Sequence, residues 1–371
     1  MKRFLTIFPE AQNVHLVKDV GMIPYILHKE LNYQTALACF ENDNYKYLDD
    51  QVQGLEIKFI KKTFKSTFLN VLIFILSNYR KYDVLQVYHL LRSGIVWCWF
   101  FKLLTLGKGK TYLKLDTGEN IYSIKFSKLT KPFVLRLLTY IDLVSVESQV
   151  YQHYLNSNQV LGRDVEYIPN GFYDSGIREF IDPNLKENRI LTVGRIGTYQ
   201  KATEVLCEAF NIFSKTNTDW SLDIVGPIED DFKTYIKEFF LKHPELKERI
   251  NFIGAINDRF VLENYYRKAK IFALTSRSEG FPLVFLEAVK YGCYVVSTDL
   301  PAAKEITDNE KYGKLFEIDN TVELATILST VVADELINET VIKQIQDFGY
   351  QKFYWPKLCV QIETLLFKKE G

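Results

Sequence analysis

One pattern restricts this chain more than any other: short runs rich in β-branched and aromatic residues alternate with longer stretches whose apolar residues recur at helical spacing. In the first half the runs are FLTIF (4–8), TALACF (35–40), LEIKFI (55–60), VLQVY (84–88), TYLKL (111–115), LVSVES (143–148) and VEYIPN (165–170). Such alternation predicts βαβ units and hence a parallel sheet. The second half repeats it with ILTVGRI (190–196), SLDIVG (221–226), INFIGAI (250–256), IFALTS (271–276), CYVVST (293–298) and GKLF (313–316). Between the halves lies a polar stretch, YDSGIREFIDPNLKEN (173–188), with Gly176 and Pro183 as breakers, which predicts a linker. The 371 residues exceed one ordinary core and fit two domains. The expected architecture is α/β, with two Rossmann-like doubly wound domains in tandem, over 1–175 and 188–344. Ligands bind beyond the carboxyl ends of the strands in such sheets, so the two domains are expected to face one another across a cleft.

Composition narrows the functional classes. With 47% hydrophobic and 25% charged residues, the chain reads as a soluble globular protein. Its five cysteines, at 39, 98, 207, 293 and 359, form no Cys-x-x-Cys pair, which argues against a zinc or redox motif and for a reducing compartment. No His, Asp and Cys cluster shows metal spacing, so no metal is expected. The opening MKRFLTIFPEAQ reads as a first strand rather than a signal peptide. The longest apolar stretches, FLNVLIFILS and GIVWCWFFKLLTLG, fall short of the roughly 20 residues of a spanning helix. A cytoplasmic protein is expected.

The formal net charge is zero, yet the charges are unevenly placed. Between Lys58 and Arg136 stand 15 Lys and Arg against the acids Asp83, Asp116 and Glu119, a local net of +12 interleaved with Phe, Tyr and Trp. That excess fits an anionic partner: a membrane surface with acidic headgroups, a lipid diphosphate or nucleic acid. A solvated basic face with no partner is the alternative. The segment Gly107-Lys108-Gly109-Lys110-Thr111 imitates a phosphate loop, but Leu104 and Tyr112 stand where the P-loop and dinucleotide patterns need glycine. It reads as a basic turn before a strand.

The chemistry-bearing residues gather in the second half. The strand IFALTS ends at Ser276, the turn RSEGFP follows, and LVFLEAVKYG predicts a helix with Pro282 at its first position and Gly292 just past its end. A helix start beyond a strand end offers the N–H groups of Leu283 and Val284 to an anion such as a phosphate. Glu279 and Glu287 would repel that anion, so they make sense as ligands for something else. An ionised carboxylate accepts two O–H donors from a vicinal diol. Glu287 then suits ribose hydroxyls, and Glu279 suits a sugar ring across a diphosphate. Arg195 and Lys201, in VGRIGTYQKATEVL after another strand, are placed to supply cations.

In this setting the chain resembles the retaining glycosyltransferases of the GT-B fold, family 4 (glycosyl transferases group 1). Their Glu-x7-Glu motif matches Glu279 and Glu287, within Ser-x-x-Glu-Gly-Phe, Glu-Ala and Gly-Cys-Tyr-Val-Val-Ser, and their Arg-x5-Lys pair matches Arg195 and Lys201. The resemblance covers most of the second half and, more weakly, YDVLQVYHL, VESQVY and YIPNG. It implies transfer of a sugar from a UDP- or GDP-sugar, with retention at the anomeric carbon and without a metal. The nucleotide diphosphate sugar is then a co-substrate, and no cofactor is expected. The C-terminal domain would bind the donor, and the N-terminal domain a glycan or lipid-linked acceptor for surface polysaccharide or glycoconjugate synthesis. The final helix, near FYWPKLCVQIETLL in 345–371, would cross back to the first domain. By the same resemblance Arg195 and Lys201 stabilise the departing diphosphate, an electrostatic role. Gly280, Phe281, Pro282, Leu283 and Val284 line the phosphates, Glu287 the ribose and Glu279 the transferred sugar, while backbone near Gly226, Gly254 and Ile256 flanks the base. The expected setting is peripheral contact with the anionic inner face of the membrane, with no nucleic acid.

Two departures fall on the acceptor side. Many family members have a glycine pair where VKDVGMIPY keeps only Gly21, and a histidine where Asp116 follows TYLKL. Asp116 is placed among the catalytic residues, holding a sugar hydroxyl or stabilising positive charge on the donor ring; its alternative is to cap the next turn through Thr117 and Gly118. Lys18, Asp19 and Gly21 are candidates for contacting acceptor or phosphate, or are ordinary loop residues. His89 reads as packing near a strand end. A nucleotide-sugar epimerase on the same fold and a non-catalytic GT-B subunit binding a partner transferase are the other classes. The intact set of Arg195, Lys201, Glu279 and Glu287 counts against the non-catalytic subunit.

Overall fold

The computed structural model describes residues 1–116, 118–127 and 130–368, with only the backbone of Glu119. Thr117, expected in the turn after Asp116, and the last three residues of the 345–371 segment therefore lie outside the described residues. The chain divides into two compact units, Met1–Tyr173 joined by the segment from Tyr354, and Asp174–Phe353.

The first unit holds β1 (Arg3–Ile7), β2 (Gln34–Cys39), β3 (Glu56–Phe59), β4 (Val84–Tyr88), β5 (Lys110–Leu115), β6 (Leu143–Val146) and β7 (Glu166–Tyr167). They form one parallel sheet in the order β3-β2-β1-β4-β5-β6-β7. The chain winds outward from β1 through β2 and β3, then returns to β1's other side with β4. The reversal lies between β1 and β4. One sheet face, with Leu5, Ile7, Leu85, Val87, Leu113 and Val144, builds a core with the helices Thr67–Asn78, Arg92–Leu104 and Lys131–Leu138. The other face packs beneath the helices Asp19–Leu31 and Trp355–Phe367 through Phe4, Tyr88, Tyr112, Ile23, Ile26, Trp355, Leu358 and Ile362.

The C-terminal helix is tied to this unit by polar bonds as well. Glu363 takes Lys2 Nζ at 2.7 Å and the Tyr33 hydroxyl at 2.7 Å, and Trp355 N–H donates to the Phe172 carbonyl at 3.1 Å. The preceding helix, Glu339–Lys352, belongs to the second unit.

The second unit holds β8 (Glu187–Val193), β9 (Ser221–Val225), β10 (Ile250–Gly254), β11 (Ala269–Leu274), β12 (Tyr294–Thr298) and β13 (Gly313–Phe316), in the order β10-β9-β8-β11-β12-β13. All pairs are again parallel, and the reversal lies between β8 and β11. Two local expectations shift. β8 starts three residues before the apolar run, because the polar Glu187, Asn188 and Arg189 still find partners in the ladder, Glu187 against Ala269 and Arg189 against Ser221. Pro282 is the extended N-cap (φ −63°, ψ 122°) of the helix Leu283–Lys290 rather than its first residue, while Gly292 (φ +68°) lies past the end as expected. Among the described residues no helix is long and apolar enough to cross a membrane.

Candidate active site

The reversal between β8 and β11 is where an open α/β sheet parts its loops and leaves room for a ligand. The loop after β8 carries Arg195 and Lys201; the turn after β11 carries Ser276 to Glu279. Sequence places these two segments about 80 residues apart, and the sheet order makes them neighbours. Lys201 Nζ donates to Glu279 Oε1 at 2.5 Å, and the Ser276 hydroxyl donates to the same oxygen at 2.8 Å. The lysine and glutamate side chains retain 16% and 12% of their exposure, so this pair is largely shielded from water and weakly screened. Arg195, exposed, donates to Gln200 Oε1 at 2.9 Å, and Gln200 Nε2 donates to the Ser278 carbonyl at 2.8 Å. Arg195, Lys201 and Glu279 are thus brought together.

What holds the two loops is a residue not singled out in the sequence. Arg277 N–H donates to the Gln200 carbonyl at 2.8 Å, and its guanidinium bonds Glu204 at 2.8 Å, Asp319 at 2.8 Å and the Tyr199 carbonyl at 2.5 Å while lying 4.2 Å from the centre of the Tyr199 ring. Thr275 Oγ1 adds a bond to the Lys201 carbonyl at 2.9 Å, and Thr298 Oγ1 one to the Ser276 carbonyl at 2.7 Å. Beside Lys201, Ala202 sits at φ +46°, a conformation a β-carbon disfavours and one that persists only where its surroundings hold it.

Beyond the turn, Leu283 and Val284 open the helix Leu283–Lys290 half-buried, with their N–H groups in its first turn. Phe281 is buried with its ring tilted against that of Phe353 at 5.8 Å, so its side chain anchors the turn, and only the backbone of Gly280 to Pro282 is left to line a ligand. Glu287, one turn on, has different company from Glu279. Partial desolvation opposes the charge on Arg259, but the carboxylates of Glu287 and Glu263 outweigh it and hold that guanidinium above the ordinary arginine pKa. Burial, and next the charge of Glu287, push the Tyr266 phenol well above its ordinary value. Arg259 and Tyr266 thus join Glu287, and no sequence signal marked either.

At the ends of β9 and β10, Gly226 N–H donates to the Gly254 carbonyl at 2.9 Å. Gly226 (φ +140°) admits no side chain, since a β-carbon there would meet the Gly194 carbonyl oxygen at 1.7 Å. Gly254 (φ +81°) faces open space, and Ile256 is half-buried beside it.

Asp116 belongs to the first unit, exposed at the end of β5, its carbonyl accepting from His89 Nδ1 at 3.0 Å. Beneath it lies a buried polar layer. Lys114 Nζ lies 3.4 Å from Asp19 and donates to Asn170 at 3.1 Å, whereas neither carboxylate oxygen of Glu147 has a hydrogen-bond partner on any other described residue. Burial pushes Glu147 up to about 7, against the pull of Lys114. Burial likewise raises Asp19, with Lys114 opposing. Asp19 is thus a buried residue beside Lys114, Lys18 is exposed, and Gly21 is a close-packing glycine whose β-carbon would meet the Leu16 carbonyl oxygen at 2.2 Å.

Residues 187–334 match the family model described as glycosyl transferases group 1. Over 44% of this chain and 42% of the relative, the sequence is 30% identical to N-acetylgalactosamine-N,N'-diacetylbacillosaminyl-diphospho-undecaprenol 4-alpha-N-acetylgalactosaminyltransferase of Campylobacter jejuni. Over 82% and 81% it is 25% identical to the capsular polysaccharide biosynthesis glycosyltransferase CapH of Staphylococcus aureus. The chain spans about two fifths of the length of the first curated relatives it matches. HepE of Anabaena, solved in complex with UDP, superposes with a TM-score of 0.72 at 18% identity, covering 99% of this chain and 100% of HepE.

Proposed function

Because residues 187–334 match the group 1 glycosyl transferases and the chain carries a GT-B fold, we propose that it transfers a sugar from a nucleotide diphosphate sugar, with retention, to a glycan or lipid-linked acceptor in surface polysaccharide or glycoconjugate synthesis. The observation that carries this reading is the Lys201–Glu279 pair joined across the β8/β11 reversal at 2.5 Å, with a helix N-terminus beginning four residues beyond Glu279. The donor's diphosphate takes Lys201 and Arg195; Glu279, released from the lysine, accepts hydroxyls of the transferred sugar; Glu287 accepts those of the ribose. The bond from the anomeric carbon to the phosphate oxygen breaks, and one from the acceptor oxygen to that carbon forms. The acceptor's proton leaves on the departing diphosphate. Charge building on that diphosphate is met by Arg195 and Lys201, so no metal is required for this step. Asp116, in the first unit, serves the acceptor side.

UDP is the favoured nucleotide, since HepE of Anabaena binds it. The Campylobacter relative's name specifies a diphospho-undecaprenol acceptor, which supports a lipid-linked acceptor here. A membrane setting has a surface to support it. The helix Thr67–Asn78, TFLNVLIFILSN, buries only Asn70, Val71 and Ile75 and exposes Leu69 (42%), Ile73 (42%) and Leu76 (52%) along one stripe. From Lys58 to Lys81 the chain carries six basic residues and no acid. An apolar stripe with basic ends fits an anionic bilayer surface.

The test is incubation with a panel of UDP- and GDP-sugars, following release of the nucleotide diphosphate, with Lys201→Ala and Glu279→Ala as controls. Release with a UDP-sugar, lost in both variants, is expected. An epimerised nucleotide sugar as the sole product, or equal turnover by the variants, overturns the reading.

A further inference from the structure

The first unit has a reversal of its own, between β1 and β4, and the residues leaving those strands form an aromatic and histidine cluster. Phe8 follows β1 and His89 follows β4. The ring of Phe8, half-buried, has His15 at 5.3 Å, Tyr88 edge-on at 5.6 Å and His89 at 5.8 Å. His89 holds φ +60°, a conformation uncommon for any residue with a β-carbon. It is pinned by three bonds: its N–H donates to the Lys114 carbonyl at 3.0 Å, its carbonyl accepts from Leu91 N–H at 2.8 Å, and its ring meets Asp116.

The two histidines are locked in opposite tautomers. Gln12 N–H donates to His15 Nδ1 at 2.9 Å, so that nitrogen carries the lone pair and the proton of the neutral ring sits on Nε2. The Asp116 carbonyl, which can only accept, lies 3.0 Å from His89 Nδ1, so that nitrogen carries the proton and Nε2 of the neutral ring is bare. Burial, and next the charge of Lys18, draw the His15 pKa below the ordinary 6.5, which favours the neutral ring. Among the described residues no hydrogen bond engages either Nε2. One ring therefore presents a donor and the other an acceptor, both beside an aromatic face. A hydroxyl both accepts and donates, and a pyranose adds an apolar C–H face beside its hydroxyls.

We propose that Phe8, His15 and His89 form a subsite for a hydroxylated sugar ring, its apolar face on Phe8, with hydroxyls accepting from His15 Nε2–H and donating to His89 Nε2. The inference rests on the sugar-transfer reading and deepens it by assigning this ring to the acceptor, because the donor's diphosphate and diols are met by the second unit. Asp116 is then a positioning residue: its carbonyl sets the His89 tautomer.

The test follows the histidine ring ¹H–¹⁵N correlations of the full-length protein during titration with methyl β-D-glucopyranoside, methyl β-D-galactopyranoside and, separately, UDP. Apo spectra should show the Nε2–H tautomer for His15 and the Nδ1–H tautomer for His89. At least one glycoside, taken to about 100 mM to cover the weak affinity of a few neutral hydrogen bonds, should move both rings, and UDP neither. His15→Asn and His89→Asn each retain a group able to make the Nδ1 bond, and Asn tolerates positive φ, so only the Nε2 function is lost. Each should weaken glycoside binding about fivefold to tenfold with the melting temperature unchanged. Glycosides that leave both rings unmoved, or UDP that moves them, overturn the subsite. So does binding that survives both variants. Nucleotide release from a sugar nucleotide tests the transfer reading separately, so turnover without glycoside binding sinks the subsite alone.

Discussion

Replacing Lys201 with alanine separates a catalytic lysine from a structural one, because the two roles differ in size. Structurally, the change removes one of the two hydrogen bonds on Glu279 Oε1 and leaves the one from Ser276. Breaking a fully buried ion pair costs about 3–5 kcal/mol. Here both side chains keep some exposure and the carboxylate keeps a donor, so a loss of about 1–2 kcal/mol is expected. Catalytically, the variant removes a cation aimed at charge developing on the departing diphosphate, and loss of one such preorganised donor typically costs about 10²–10³ in kcat, or about 3–4 kcal/mol. Urea unfolding gives the first quantity and nucleotide release at saturating donor gives the second. In the double variant with Glu279→Ala the stability effects should fail to add by about 0.5–3 kcal/mol, since the residues are in contact. A Lys201→Ala enzyme within tenfold of wild-type turnover, with stability lowered as stated, would refute the reasoning and leave the pair a structural tie.

Arg277→Ala releases both loops of the site and should lower kcat and raise KM together, by about tenfold to a hundredfold in kcat/KM; a change in stability alone would contradict its positioning role. Glu287→Gln should raise the donor KM about tenfold with little effect on kcat, as expected for uniform binding of a ribose diol, and a pure kcat loss would speak against that assignment. Glu147, ordinarily ionising near 4.5, is pushed up to about 7 by burial, so the folded state holds a proton that the unfolded chain releases. Its support for the fold is full below pH 4.5 and is lost as pH rises to about 7, on the order of 3 kcal/mol in all. Glu147→Gln should therefore raise the melting temperature relative to wild type more at pH 8 than at pH 4.5, and an equal change at both would contradict the buried charge. Converting Lys61, Lys62 and Lys65 to Gln should weaken binding to anionic vesicles on the order of a hundredfold, at about 1 kcal/mol per lysine; undiminished sedimentation with such vesicles would remove this surface from the membrane reading.

Much of the fold was legible because strands buried on both faces of a parallel sheet read as continuous apolar runs, and all thirteen described strands fall on or overlap such runs. What the runs do not carry is their order in space. Lys201 and Glu279 are 78 residues apart and meet only because β8 and β11 are neighbours. The pairing of two motifs was legible through family resemblance, but Arg277 and Gln200 take their roles from that adjacency alone. For a similar reason the sequence offers only a packing role for His89. Its type says nothing of a left-handed backbone, nor of a carbonyl 27 residues away that fixes its proton.

The basic stretch shows how a charge count and a charged surface differ. Of its cations, Lys102 and Lys110 converge on Asp142, whose carboxyl is desolvated and yet held below the ordinary value by those two amines and the Thr111 N–H. Lys114 is fully buried against Asp19, and Lys58 pairs with Glu56 just outside the stretch. Lys102, Lys110 and Lys114 thus serve the fold, while Lys58 stays at the surface with its charge balanced by Glu56. Lys61, Lys62 and Lys65 are exposed, precede the stripe of Leu69, Ile73 and Leu76, and have Arg80 and Lys81 at its far end. Among the described residues none of these five forms an ion pair. Sequence gives a net of +12 spread over nearly 80 residues, whereas the structure takes out the paired cations and sets five of the remaining ones as a basic margin around one apolar helix face. Since electrostatic attraction to a bilayer decays within a Debye length of about 8–10 Å, it is that margin, and not the total, that sets any affinity for lipid.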